Sequence, residues 1–101
     1  MRKIINGKLY DTEVAELLGS MEQGHEGDFS YIYEALFRTK RGTYFIHGEG
    51  GGLTRYRQKY GNLYGYGEDI RVLSEAEARK WVEINLDADS YVNIFGGVEE
   101  G

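Results

Sequence analysis

The sequence contains no cysteine and no proline. Without cysteine the chain cannot form disulfide bonds, thiolate metal sites or a cysteine nucleophile, and a reducing compartment suits it. Without proline no proline-rich linker divides the 101 residues, and this length fits one domain, residues 1–101. The charged start MRKIINGKLYD holds no apolar run long enough for a signal peptide or a membrane span. We therefore expect a cytoplasmic protein with no membrane partner.

Motifs for catalysis and for metal binding are also missing. His25 and His47 are far apart and form neither an H-x-x-x-H pair nor an HExxH motif. Asp87 and Asp89 lack the spacing of a calcium loop, and no serine lies in a nucleophile elbow. We therefore expect no catalytic residue, no metal site and no cofactor, and a protein that is not an enzyme.

Charge is present but unevenly distributed along the chain. The net charge is −5. Residues 38–73 carry seven basic and three acidic side chains, whereas residues 1–37 and 74–101 carry net charges of −4 and −5. Such asymmetry indicates charged partners, unless folding brings the three segments together and neutralises them.

Two local signals shape the expected N-terminal region. Asn6 and Gly7 lie between short apolar runs, and because both residues tolerate positive φ they predict a β-hairpin. The following segment, TEVAELLGSM, has apolar residues at helical spacing. It favours a short helix capped by Asp11 or Thr12 and ended by Gly19.

A second hairpin is expected in the middle of the chain. Residues 31–39 and 43–47 are rich in β-formers, and a turn at Arg41-Gly42 would join them. In that register Phe37 faces Ile46. The buried face would then hold Tyr33, Ala35, Phe37, Tyr44 and Ile46.

Helices are expected in the second half of the chain. Ser74 and Glu77 form a capping box that opens the helix SEAEARKWVEINL. Asp87 caps a second helix, ADSYVNIF, which Gly96-Gly97 ends, and LTRYRQKY favours a short central helix near Thr54. The expected fold class is α+β: one antiparallel β-sheet with two C-terminal α-helices and a short central helix.

The glycine-rich segment HGEGGG, residues 47–52, lies where phosphate-binding loops lie, after a predicted strand and before a predicted helix. It matches neither the G-x-G-x-x-G fingerprint nor a Walker loop, which needs Lys followed by Ser or Thr. Glu49 would also repel a phosphate. A flexible turn with glycines at positive φ is the first interpretation, with an anion site or a partner contact as alternatives.

Two sets of charged residues are candidates for binding a partner. The basic set combines cations that suit phosphates with tyrosines that suit nucleobases or protein surfaces. It consists of Arg55, Arg57, Lys59, Tyr64 and Tyr66. The acidic set lies on the C-terminal helices and resembles nucleic-acid phosphates in charge. It consists of Glu75, Glu83, Asp87 and Asp89.

Five stretches resemble a known group of proteins. They are MRKIINGKLYDTE, DFSYIYEALFRTKRGTYFIHGEGG, YGNLYGYGE, VLSEAEARKWVE and LDADSYVNIFG, and they cover nearly the whole chain. They resemble small acidic proteins carried by phages, plasmids and conjugative elements of Firmicutes. That group is similar in gene context and size to type II anti-CRISPR proteins, which inhibit Cas9.

The resemblance implies an anti-CRISPR protein in a bacterial cytoplasm that inhibits a CRISPR-Cas effector, above all Cas9, by stoichiometric binding. The acidic helices would occupy an arginine-lined groove of the effector, or the basic middle would bind its guide RNA. The alternative is a nucleic-acid-binding accessory or regulatory protein of a mobile genetic element. Unpaired edge strands also allow a homodimer.

Overall fold

Antiparallel strands followed by two helices make up the computed structural model, which describes residues 1–101. This architecture confirms the α+β class. The strands are β1 (Arg2–Ile5), β2 (Lys8–Asp11), β3 (Glu16–Gln23), β4 (Ile32–Arg38), β5 (Tyr44–Gly50), β6 (Gln58–Tyr60), β7 (Leu63–Gly65) and β8 (Gly67–Leu73). The helices are α1 (Glu75–Asn85) and α2 (Ala88–Phe95).

The strands form one main sheet and two separate hairpins. The main sheet has the order β3-β4-β5-β8, and each neighbouring pair is antiparallel. Strands β1 and β2 pair around Asn6 and Gly7, whose φ angles of 52° and 76° confirm the expected turn. Strands β6 and β7 form the second hairpin.

The central hairpin exists, but the expected register was wrong by one residue. Thr39 and Thr43 close a three-residue loop in which Gly42 has a φ of 88°. Phe37 therefore pairs with Phe45, and Leu36 pairs with Ile46. Because side chains alternate along a strand, this shift places Phe37 and Ile46 on opposite faces of the sheet.

Both faces of the sheet are consequently buried. The helices cover one face, and the β1–β2 hairpin contributes Tyr10 to the apolar cluster on the other. The helix side holds Leu36, Tyr44, Ile46, Leu73, Ala78, Trp81 and Val82. The hairpin side holds Tyr10, Ala35, Phe37, Phe45 and Ile70.

The expected helix between Asp11 and Gly19 was wrong. Asp11 does cap a single turn, since its side chain accepts a 2.9 Å hydrogen bond from the amide of Glu13. The chain then extends as β3, which pairs along β4 with an irregularity between Leu17 and Gly19. A Cβ at Gly19 would lie 2.6 Å from Leu86, so the missing side chain lets Leu86 contact the strand. Pairing with β4 has overridden a weak helical preference.

The short central helix was also wrong. Thr54 stabilises a turn by donating to the carbonyl oxygen of Gly51 at 2.8 Å. The chain then forms β6 and turns at Gly61, whose φ is 64°. Tyr56 is buried, whereas Tyr60 is 56% exposed, so the two rings do not share a packed helical face.

The two C-terminal helices follow the sequence signals closely. Ser74 and Glu77 form both bonds of the capping box at the start of α1. Asp87 caps α2 by accepting from the amide of Ser90 at 2.8 Å, and Gly96 ends that helix with a φ of 96°. Neither helix has the length and apolar composition needed to cross a lipid bilayer.

Candidate functional site

A buried carboxylate organises the helix side of the sheet. Glu34 projects from the central strand β4 and is 5% exposed. Its Oε1 accepts a 3.0 Å hydrogen bond from the indole nitrogen of Trp81, and its Oε2 accepts from the hydroxyl of Tyr56. A buried carboxylate is costly without such donors, so Glu34 fixes both aromatic side chains in place.

Two arginines flank the same carboxylate. Arg55 and Arg71 each bring a guanidinium nitrogen to 3.7 Å from Oε2 of Glu34. Their side chains are 60% and 42% exposed, so each also faces solvent. Burial and the hydrogen bond to Glu34 raise the pKa of Tyr56, which therefore stays a neutral donor. The result is a pair of oriented arginines above a buried anion.

Glycines in β5 make room for this arrangement. A side chain at Gly48 would overlap the ring of Tyr56, and one at Gly50 would overlap Thr54.

 None of the four glycines of this segment, Gly48 and Gly50 to Gly52, has positive φ. The expected flexible turn was therefore wrong: these glycines permit close packing in and after a buried strand.

The basic set is only partly brought together. Arg57 lies over the ring of Tyr64, with 4.7 Å between the guanidinium carbon and the ring centroid. Lys59 is exposed on β6 and forms no ion pair. Arg55 belongs to the Glu34 cluster instead. These cations thus line an exposed surface without converging on one point.

Acidic side chains share the groove of the basic set. Arg55, Arg57 and Arg71 line it together with Glu68 and Asp69, and the first and last also contact Glu34. Much of the positive charge is therefore offset locally. Partial burial and the neighbouring Glu49 carboxylate raise the pKa of Tyr66.

The acidic set divides into paired and unpaired members. Glu75 forms an ion pair with Arg79 at 3.2 Å, one helical turn away. Asp87 is used as the cap of α2, and the hydrogen bonds from Ser90 lower its pKa. Glu83 and Asp89 are exposed and form no ion pair.

An apolar groove adjoins Glu83, one of the two unpaired acids. It lies between α1 and α2 and is lined by Glu83, Leu86, Asp87, Ala88, Tyr91, Val92 and Val98. No ion pair joins the acidic set to the basic set. The two sets therefore do not neutralise each other through ion pairs.

No family model, no curated protein and no solved structure matches the chain significantly.

Sequence reasoning missed Glu34 and Arg71 as members of the site. Glu34 sits in an apolar strand, and a charged residue in such a strand is a signal for a buried ionic cluster. Arg71 is brought near Arg55 only because β8 pairs with β5, which local sequence does not reveal.

One further group of side chains has donor atoms suited to a metal ion. His47, Glu49 and Glu68 each offer one such atom, and these atoms lie within 4.8 Å of one another. They occupy β5 and β8, on the hairpin side of the sheet. Neither charged set includes them.

Proposed function

We propose that the protein inhibits a CRISPR-Cas effector, Cas9 above all, by stoichiometric binding through its acidic helical surface. The observation that carries this choice is the exposed, unpaired charge of Glu83 and Asp89, the first of which lines an apolar groove. The resemblance to proteins of mobile genetic elements supports a CRISPR-Cas effector as the partner.

The acidic surface suits this role better than the basic one. Glu83 and Asp89 have no cation of their own to displace. Arg55 and Arg71, by contrast, already face Glu34. An incoming phosphate would therefore compete with a buried carboxylate for these two guanidinium groups.

The mechanism is occupation of a basic groove. An effector that reads DNA carries arginines where it contacts the motif next to its target. Carboxylates on a rigid helix would meet those arginines, and the nearby apolar side chains would add buried area. Complementary charge would also speed association at low salt.

The test is cleavage of target DNA by several Cas9 orthologues with increasing amounts of the protein. We expect inhibition that is complete near one protein per effector. The double variant Glu83→Lys/Asp89→Lys should weaken inhibition by at least about tenfold, since each interfacial charge contributes on the order of 1 kcal/mol.

A matched control separates local charge from net charge. Glu13→Lys/Glu26→Lys changes the net charge equally at two exposed acids outside the helices, and it should inhibit like the wild type. Undiminished cleavage by every orthologue would contradict the proposed function. Full inhibition by Glu83→Lys/Asp89→Lys would contradict binding through the acidic helical surface.

Nucleic-acid binding is the second candidate, and one observation favours it. Arg57 and Tyr64 stack on an exposed hairpin that also carries the unpaired Lys59. Stacking and phosphate contacts of this kind bind single strands. Gel shifts at low salt should then weaken in Arg57→Ala/Lys59→Ala, but not in Lys40→Ala/Arg41→Ala, which removes equal charge from an exposed turn. An absence of any shift would exclude this function.

A further inference from the structure

Three potential metal ligands meet on two neighbouring strands. His47 and Glu49 are two residues apart on β5, so their side chains project from the same face. Glu68 lies directly opposite Glu49 on β8. The Nε2 atom of His47 is 2.9 Å from Oε2 of Glu68. The three donor atoms, one from each side chain, lie within 4.8 Å of one another.

The charges in this group are not balanced by the protein. Glu49 and Glu68 occupy directly opposite positions, where like charges destabilise a sheet. Neither carboxylate forms an ion pair with a lysine or an arginine. The only ion-pair partner in this group is His47, which contacts Glu68. When the imidazole is neutral, one of its ring nitrogens can coordinate a metal ion.

We propose that His47, Glu49 and Glu68 bind a divalent transition-metal ion, with Zn²⁺ as the preferred member of that class. One imidazole nitrogen and two carboxylate oxygens form a donor set that Zn²⁺ accepts. Imidazole is a ligand that suits Zn²⁺, and carboxylate oxygens complete many Zn²⁺ sites. The cation would remove the repulsion between the two carboxylates.

The surroundings fit an open, three-ligand site. The side chains of His47 and Glu68 are 17% and 46% exposed, so an ion can enter from solvent. Both strands belong to the main sheet, which holds the ligands on a rigid frame. A fourth position is left for water or a partner's side chain.

The test is independent of effector binding and uses the purified 101-residue chain. Calorimetry after chelator treatment should show one Zn²⁺ per chain, and Co²⁺ should give an absorption spectrum of a bound ion. His47→Ala should abolish both signals. His25→Ala is the matched control, because it removes the other histidine from an exposed loop, and it should bind like the wild type.

Glu49→Gln gives a second, independent readout. In chelator this variant should melt at a higher temperature than the wild type, because the like-charge pair is gone. In Zn²⁺ the wild type should melt higher than in chelator, whereas Glu49→Gln should show no such increase. If His47→Ala fails to fold, Glu68→Gln replaces it in the calorimetry.

Two results would overturn the proposal. One is that calorimetry shows no heat of binding, and the melting temperature does not rise, at Zn²⁺ concentrations up to about 1 mM. Mass action would reveal even a weak site at that concentration. The other is an equal loss of binding in His25→Ala and His47→Ala, which would place the ion elsewhere.

Discussion

The indole nitrogen of Trp81 donates a 3.0 Å hydrogen bond to Oε1 of Glu34, which joins helix α1 to the central strand β4. Both residues are buried. The other carboxylate oxygen accepts from Tyr56 and lies 3.7 Å from guanidinium nitrogens of Arg55 and Arg71. One side chain thus connects the helical layer, the sheet and the turn after β5.

Trp81→Phe should destabilise the fold by about 1–3 kcal/mol, because it leaves a buried carboxylate oxygen without its donor. Urea denaturation measures the change. Tyr31→Phe is the control: it removes a hydroxyl whose partner, Glu22, is exposed, so its effect should be smaller. Equal effects of the two variants would contradict the importance of the Trp81–Glu34 bond.

Gly48→Ala should destabilise the fold by about 1–3 kcal/mol, the usual cost of overpacking a core. The added methyl group would overlap the ring of Tyr56, which Glu34 holds in place. Gly97→Ala is the control, since nothing lies within 4 Å of its Cβ position. Thermal denaturation compares the two, and unchanged stability in Gly48→Ala would show that Tyr56 moves freely.

Stability should fall in acid partly through the helix caps. Hydrogen bonds from Ser90 lower the pKa of Asp87 below 3.8, and those from Ser74 lower the pKa of Glu77 below 4.5. The unfolded chain takes up these protons first as the pH falls. The stabilisation is therefore complete above the ordinary pKa values and lost as the pH drops through the folded ones.

Asp87→Asn and Glu77→Gln test this pH dependence, because both amides can still serve in the caps. Denaturation midpoints measured from neutral pH into acid should decline less steeply in the double variant than in the wild type. Glu13→Gln, which lies outside the caps, is the control. Identical slopes in the wild type and the double variant would contradict the prediction.

Tyr31 should titrate unusually late in alkali. Its hydroxyl donates a 2.8 Å hydrogen bond to Glu22, and this contact raises the pKa of Tyr31 from 10.0 to about 12. The contribution to stability is present below the ordinary pKa and is lost as the pH rises through about 12. Glu22→Gln should move the pKa back toward 10.0. Ultraviolet titration, with Tyr31→Phe to assign the signal, measures the shift.

Local sequence determined the turn at Asn6 and Gly7 and the two C-terminal helices. Each of these features is stabilised by residues a few positions apart, such as Ser74 with Glu77, so the sequence shows both partners at once. The sequence also identified the candidate charged residues, but it did not show which of them form ion pairs.

Only the tertiary structure decided the register of β4 and β5, and it replaced the two expected short helices with turns and strands. It also decided which residues surround Glu34 and which residues meet His47. Because the loop between Thr39 and Thr43 has three residues, the register of β4 and β5 differs by one residue from the expected one. Ile46, which was expected on the same face as Phe37, therefore lies on the opposite face of the sheet. Arg71 and Glu68 reach their partners only because β8 pairs with β5. Long-range strand pairing outweighs local propensities of less than about 1 kcal/mol per residue. Which residues come together in each site therefore depends on which strands pair.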